Sequence, residues 1–69
     1  MAAHIARWRT DGIEVVTLQR PPVNAMDLAL LEELKELFTA LANDNSARAV
    51  VLTGQGPTFC AGLDVKVVP

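Results

Sequence analysis

A chain of 69 residues, 51% of them hydrophobic, is long enough for one small domain or for part of a larger one. Its net charge of −2 and its pI of about 5.1 give no electrostatic reason to expect a nucleic acid or an anionic membrane as partner. A single cysteine, no signal-peptide pattern and no apolar run of membrane-spanning length together predict a soluble cytoplasmic protein without internal disulfides.

The first part of the chain is predicted to form a β-hairpin. Polar and apolar residues alternate over residues 4–9, Asp11-Gly12 supplies the positive φ angles of a tight turn, and a β-branched run follows over residues 13–18. Pro21-Pro22 ends the second strand, because proline has no N–H to donate to a neighbouring strand. His4 has no identifiable partner, so we expect it to be structural or exposed.

One amphipathic helix is predicted from Asp27 to about Ala42. The Asp27 carboxylate is a candidate N-cap for the free N–H groups of the first turn. Apolar residues recur at intervals of three and four and define one face: Leu30, Leu31, Leu34, Leu37, Phe38 and Leu41. The opposite face carries Glu32, Glu33 and Glu36, which we interpret as a solvated cluster and not as a metal site, because no histidine accompanies them.

A third strand is predicted over residues 48–53, and its apolar composition suggests burial on both faces of a sheet. The resulting β-β-α-β unit leaves sheet edges unpaired, and the apolar residues before Pro69 carry no cap or polar tail. We therefore interpret residues 1–69 as the N-terminal part of one α/β domain that is incomplete, with no second domain.

The glycine loop that follows the third strand is the most informative stretch of the chain. Gly54, Gly56 and Gly62 allow backbone N–H groups to approach a ligand closely. The loop does not fit a dinucleotide or phosphate motif, because Phe59 stands where the third glycine is needed. Taken alone, the loop could be an ordinary turn, and Cys60 within it is expected to be a packed small hydrophobe.

Two motifs together resemble the crotonase family, the enoyl-CoA hydratases and isomerases. Residues 50–64 read V-V-L-T-G-x-G-x-x-F-x-A-G-L-D, and residues 20–26 read R-P-x-x-N-A-M, with a spacing that also fits. The resemblance extends from about Ile5 to Lys66. It implies an α/β fold, the N-terminal β-β-α-β portion of the superhelical ClpP/crotonase fold, with a hairpin, a helix, a strand and an oxyanion loop.

The resemblance implies an enzyme that acts on acyl-CoA thioesters through an enolate-like state. Two backbone N–H groups would stabilise the negative charge on the thioester oxygen, and one of them is assigned to Leu63, which follows Ala61-Gly62. Hydratases of the family commonly carry alanine at that position, so the acyl group and the reaction stay open between hydration, isomerisation, dehalogenation and thioester hydrolysis. The second donor and the catalytic carboxylates have no counterpart among these 69 residues, so we expect the chain alone to be inactive.

The resemblance also implies residues that bind coenzyme A, which enters as part of the substrate and not as a covalently bound cofactor. The Ala61 carbonyl would contact the adenine, Ala25 would lie at the same end, and Lys66 would meet the phosphates as a point charge. Asp64 is expected to cap a following helix. The complete set of substrate-binding candidates is Ala25, Ala61, Gly62, Leu63, Asp64 and Lys66.

No metal site is expected, and relatives of full length are expected to form homo-oligomers, as trimers or hexamers. An alternative stays open at this point: a non-catalytic fragment that acts at most as a weak coenzyme A-binding or protein-docking piece.

Overall fold

The computed structural model describes residues 4–64. Its elements follow the predicted β-β-α-β order: β1 (Ile5–Thr10), β2 (Ile13–Leu18), α1 (Leu28–Ala42) and β3 (Ala49–Gly54). The strands form one sheet in the order β1-β2-β3, in which β1 pairs antiparallel with β2 and β2 pairs parallel with β3. Helix α1 is therefore the crossover between two parallel neighbours, and the predicted fold class is confirmed.

The predicted turn between β1 and β2 is present and is as short as a hairpin allows. Asp11 and Gly12 both have positive φ, 50° and 79°, and Thr10 pairs with Ile13 across the turn. Two consecutive positive φ angles match the twist of the flanking strands, which explains the Asp-Gly pair. The Gly12 carbonyl also accepts from Arg48 N at 2.7 Å, so the turn is attached to the start of β3.

The helix begins as the sequence predicts. Asp27 is the N-cap: its backbone is extended, and its side chain accepts from Leu30 N at 2.9 Å. At the other end the Asn43 N–H donates back to the Ala40 carbonyl at 3.2 Å. Both ends of α1 therefore have partners for some of the backbone groups that a helix leaves unpaired.

The core lies between α1 and the central strand. Leucines at helical spacing pack against β2, and the buried members of the cluster are Val16, Leu18, Leu30, Leu34, Leu37 and Leu41. Each such side chain contributes roughly 1.5–3 kcal/mol when it is fully buried. Met26 and Cys60 are partly buried and pack against this cluster, so the core also anchors the two segments that carry the family motifs. Cys60 is a packed hydrophobe, as predicted.

The predicted burial of the third strand is wrong for the described residues. Val50, Val51 and Leu52 are 40%, 48% and 37% exposed. Within residues 4–64, β3 is an edge strand that pairs with β2 alone, so its apolar side chains lack the second neighbouring strand that their composition favours.

Of two expectations about polar side chains, the structural role of His4 agrees with the structure although a partner was not foreseen, whereas the solvated position of Glu33 is wrong. His4 precedes β1 and has a partner: its backbone N–H donates to Glu33 Oε1 at 3.0 Å, and its Nδ1 lies 3.1 Å from Glu33 Oε2. Glu33 is accordingly half-buried rather than solvated, whereas Glu32 and Glu36 are exposed as expected. The difference arises because α1 packs across the start of β1 and brings residues 29 positions apart into contact.

Candidate active site

Two segments that are far apart in the sequence, residues 23–26 and 61–64, run side by side in the structure. They belong to the two motifs that carried the family resemblance, and α1 and β3 separate them along the chain. Three backbone hydrogen bonds join the segments: Ala61 N to Val23 O at 3.0 Å, Met26 N to Gly62 O at 2.8 Å, and Asp64 N to Met26 O at 2.9 Å.

The backbone of Leu63 faces away from this pairing. Leu63 is the partner of Met26 in a parallel β-bridge, and the bridging bonds use the carbonyl before Leu63 and the N–H after it. In that geometry the N–H of Leu63 itself points to the opposite side. Among residues 4–64 it donates to no backbone carbonyl, and Leu63 is 57% exposed. The hydrogen bonds of Gly62 and Asp64 to Met26 fix the position of this N–H.

Gly62 provides the turn that precedes Leu63. Its φ is +97°, and a Cβ added there would meet no atom within 4 Å. The requirement for glycine is therefore conformational and not a matter of space. The Gly62 N–H donates to Cys60 Sγ at 3.4 Å, which adds a local contact to the turn.

Asn24 closes the glycine loop, although sequence reasoning did not assign it to the site. It is 1% exposed and has a φ of 55°. Its Oδ1 accepts from Arg20 N at 2.9 Å. The other end of the amide faces three backbone carbonyls: Nδ2 lies 3.2 Å from Gln55 O, 2.9 Å from Thr58 O and 3.1 Å from Phe59 O. Its place in the R-P-x-x-N-A-M motif was the only signal that could have identified it.

Glycine is required at position 54 because there is no room for a side chain. A Cβ at this position would lie 2.3 Å from Phe59 O and 2.8 Å from Asn24 Nδ2. The loop therefore folds back onto the end of β3 so closely that no side chain fits between them.

Arg20 connects three parts of the candidate site. Its Nη1 donates to Ala25 O at 2.7 Å and to Asp64 Oδ2 at 3.1 Å, and its Nε lies 3.3 Å from Asp27 Oδ2. Asp64 thus binds an arginine that the sequence analysis did not pair with it. The helix that Asp64 was expected to cap falls outside the described residues.

A cleft of about 330 Å³ opens beside these contacts, and its volume is at the lower end of the range for small-ligand sites. Two of the predicted substrate-binding residues, Ala25 and Asp64, line it together with Arg20 and residues 21–23. Ala61, Gly62 and Leu63 are joined to this region by the backbone pairing described above, whereas Lys66 lies outside the described residues. A separate cleft of about 320 Å³ between β1 and α1 contains none of the predicted site residues.

Two further observations concern residues 4–64. No group of three or more histidine, cysteine, aspartate or glutamate side chains is arranged to hold a metal ion. No helix in this part of the chain is long and apolar enough to cross a membrane.

Comparison with known proteins shows the family to which the chain is similar. The family model described as enoyl-CoA hydratase/isomerase matches residues 9–68. A peroxisomal fatty acid beta-oxidation multifunctional protein from Oryza sativa is 42% identical over 57 residues, which are 83% of this chain and 8% of that protein. The 4-chlorobenzoyl coenzyme A dehalogenase-2 of an Arthrobacter species is 42% identical over 67 residues, which are 96% of this chain and 24% of the relative.

A solved structure matches the fold over almost the whole chain. The enoyl-CoA hydratase of Mycobacterium avium superposes with a TM-score of 0.90 at 31% identity, over 97% of this chain and 30% of the hydratase. The chain thus spans between 8% and 30% of the length of these three proteins. Because the family model matches residues 9–68 and the fold of a solved member matches over 97% of the chain, this chain belongs to the enoyl-CoA hydratase/isomerase family, the crotonases.

Proposed function

We propose that this chain carries the first half of the active site of an acyl-CoA thioester enzyme of the enoyl-CoA hydratase/isomerase type. In this proposal residues 1–69 form the N-terminal part of a single crotonase-like domain. The observation that carries the proposal is the Leu63 N–H, which lies at the end of the glycine loop and points away from the Met26 bridge. A fixed N–H on a residue that is 57% exposed suits an oxyanion hole.

The proposed chemistry uses the backbone of Leu63 and not its side chain. When a carbon next to a thioester carbonyl becomes enolate-like, negative charge collects on the thioester oxygen. A donor that is already oriented stabilises this charge without reorganisation at the moment of reaction, and loss of one such donor typically costs ~10²–10³ in rate. The hydrogen bonds on either side of Leu63 supply that orientation.

The coenzyme A moiety is proposed to lie along the paired segments. In this assignment the Ala61 carbonyl contacts the adenine, and Ala25 and Gly62 lie against the carrier. Ala25 and Asp64 line the adjoining cleft, where Arg20 binds both of them. Lys66 is proposed to meet the phosphates as a point charge.

The reaction itself is proposed only at the level of the substrate class. The rice relative is named for fatty acid beta-oxidation and the Arthrobacter relative for dehalogenation of an aromatic acyl-CoA, so one segment serves different reactions. Homo-oligomers, as trimers or hexamers, and a cytoplasmic location are part of the same proposal. The peroxisomal name of the rice relative makes the peroxisome the competing location.

The 69 residues alone are proposed to be inactive, because they supply one oxyanion donor and none of the carboxylates expected from the family. The alternative, a non-catalytic piece that binds coenzyme A weakly or docks on another protein, is favoured by the exposed apolar side chains of Val50, Val51 and Leu52. Turnover of crotonyl-CoA in proportion to the concentration of the pure chain would contradict the proposed inactivity.

An NMR titration of the isotope-labelled chain distinguishes the proposed active-site segment from the non-catalytic alternative. We expect coenzyme A to shift the backbone amide signals of Ala25 and Ala61, and crotonyl-CoA to shift that of Leu63 in addition. The exposed Asn45, far along the chain from both segments, serves as the reference amide. Shifts confined to the cleft between β1 and α1, or equal effects of both ligands on Leu63, would contradict the oxyanion assignment.

A further inference from the structure

We propose that Asn24 is a positioning residue, whose side-chain amide holds the glycine loop in the one conformation that presents the Leu63 N–H to a substrate. This inference rests on the proposed oxyanion role of Leu63 and adds the residue that maintains it. Asn24 itself is placed to touch the loop backbone and not the substrate, since it is 1% exposed.

Several backbone groups of the loop depend on one buried side chain, that of Asn24. Three carbonyl oxygens, those of Gln55, Thr58 and Phe59, lie within 3.2 Å of Nδ2. Because three acceptors converge on one end of the amide, that end must be the nitrogen. These hydrogen bonds are partly buried, so removal of this NH₂ group takes one shared donor away from three loop carbonyls and destabilises this conformation of the loop.

Asn24 also lies within the segment that pairs with residues 61–64. Its neighbour Val23 accepts from Ala61 N, and Met26, two residues on, accepts from Asp64 N and donates to Gly62 O. Asn24 thus holds residues 55–59 through its side chain, while the residues around it hold residues 61–64 through the backbone. Both halves of the loop are therefore attached to one short segment, residues 23–26.

The loop fits closely around the Asn24 amide. A Cβ at Gly54 would lie 2.8 Å from Asn24 Nδ2, so β3, the loop and the amide are in mutual contact. The φ of 55° at Asn24 is a conformation that asparagine tolerates better than most residues. A substitution must therefore respect both the backbone conformation and the donor.

Loss of the Asn24 amide should lower turnover more than it weakens substrate binding. Leu63 follows Phe59 by four residues, so a displaced loop moves the N–H relative to the thioester oxygen. Misplacement by about 1 Å costs on the order of 10²-fold in well-oriented reactions. We expect kcat to fall at least about tenfold while KM changes by only a few-fold.

The test compares Asn24→Asp and Asn24→Gly in a complete enzyme of the family that carries residues 4–64 as its own first segment, with crotonyl-CoA as substrate. Aspartate keeps the size, the acceptor oxygen and the tolerance of positive φ, but it has no N–H. Glycine keeps the backbone conformation and removes the side chain. Asn45→Ala, at an exposed asparagine after α1, is the control that leaves kcat unchanged.

The expected result is a lower kcat in both Asn24 variants, with a changed chemical shift and faster hydrogen exchange of the Leu63 amide. A merely structural asparagine would lower Tm and leave the kcat of the folded variant intact, and that outcome overturns the inference. If neither variant folds, native-state hydrogen exchange of the unsubstituted protein decides: Leu63 and residues 55–59 must open together, and independent opening overturns the inference. If Leu63→Pro loses turnover while Asn24→Asp keeps the full kcat, only the role of Asn24 is rejected. If Leu63→Pro keeps full activity, the proposed function itself is rejected.

Discussion

At the scale of single residues, the role proposed for Leu63 belongs to its backbone N–H and not to its side chain. The side chain can vary, because the N–H is positioned by the hydrogen bonds of Gly62 and Asp64 to Met26. The glycines around it have different physical roles. Gly54 leaves space for Phe59 and Asn24, whereas Gly56 and Gly62 adopt φ angles of +85° and +97° in open surroundings.

The first prediction concerns the donor itself. In a complete enzyme that carries this segment, Leu63→Pro should lower kcat/KM by ~10²–10³, because proline has no N–H, whereas Leu63→Ala keeps the donor and changes only the volume beside it. Steady-state kinetics of both variants, each with a thermal melt to show that it is folded, provide the measurement. Equal losses in the two folded variants would mean that the Leu63 N–H is not the donor.

The second prediction separates the two kinds of glycine. Gly54→Ala should destabilise the chain by roughly 1–3 kcal/mol, because the new methyl group meets the backbone of Phe59. Gly56→Ala serves as the matched control: its Cβ meets no atom within 4 Å, so only backbone strain of about 1–2 kcal/mol is expected. Urea unfolding gives both free energies, and the amide signals of residues 55–59 should shift further in Gly54→Ala. The interpretation fails if Gly54→Ala leaves those signals unchanged.

At the scale of elements, the helix N-terminus joins the fold to the candidate site. Asp27 caps α1 through Oδ1, and its Oδ2 lies 3.3 Å from Arg20 Nε. One carboxylate therefore starts the helix and orients the arginine that binds Ala25 and Asp64.

The third prediction follows from this double role. Asp27→Ala should cost about 0.5–2 kcal/mol of stability, since it removes the cap. Asp27→Ser keeps a capping oxygen but not the ion pair, so it should restore most of the stability. If Arg20 needs Asp27 for its orientation, the Asp64 amide signal should move in both variants. Urea unfolding and amide spectra measure these two effects separately, and equal stability of the serine and alanine variants would contradict the capping role.

Features that arise from residues close together in the sequence could be predicted, whereas features that arise from distant residues could not. The Asp11-Gly12 turn, the Asp27 cap and the leucine spacing of α1 are local, so the sequence was sufficient to predict them. The contact of His4 with Glu33 and the contacts of Asn24 with residues 55–59 join positions about 30 residues apart, and they depend on how α1 packs and where the loop folds back. The exposure of β3 also depends on its neighbours in the sheet and not on its composition.

At the scale of the whole molecule, a charged network ties the sheet to the far end of the helix. Glu14 on β2 is only 2% exposed and accepts from Arg7 Nε and Arg9 Nε on β1. Arg9 also donates to Asp44 Oδ2 at 2.8 Å and to the Ser46 hydroxyl, both of which follow α1. A buried carboxylate without such partners would be strongly unfavourable, so this network must form with the fold.

The charges in this network make stability depend on pH. Hydrogen bonds from Arg7 and then Arg9 lower the pKa of Glu14 below its ordinary value of 4.5, and they outweigh the opposing effect of burial. The pKa of Asp44 is lowered well below 3.8, chiefly by Arg9 and also by the hydroxyl and N–H of Ser46. Hydrogen bonds to Asp44 and then to Glu14 raise the pKa of Arg9, so this side chain stays protonated throughout the acidic range.

The fourth prediction is a loss of stability in acid that depends on Glu14. Both carboxyl groups have a lower pKa in the folded than in the unfolded chain, so the unfolded chain binds more protons as the pH falls, and the equilibrium shifts toward it. Their stabilisation is complete above the ordinary values of 4.5 and 3.8, declines below them, and is lost once the pH passes below the folded values.

Urea unfolding between pH ~2.5 and pH ~7 measures this dependence as the slope of the unfolding free energy against pH. Glu14→Gln removes one titrating group of the network, so its slope in acid should be smaller than that of the unsubstituted chain. Glu32→Gln removes a carboxylate from the exposed face of α1, outside the network, and should keep the original slope. If Glu14→Gln and the unsubstituted chain gave parallel curves, the acid sensitivity would have to come from other carboxylates, and the arginine pair would not hold Glu14 in its charged form.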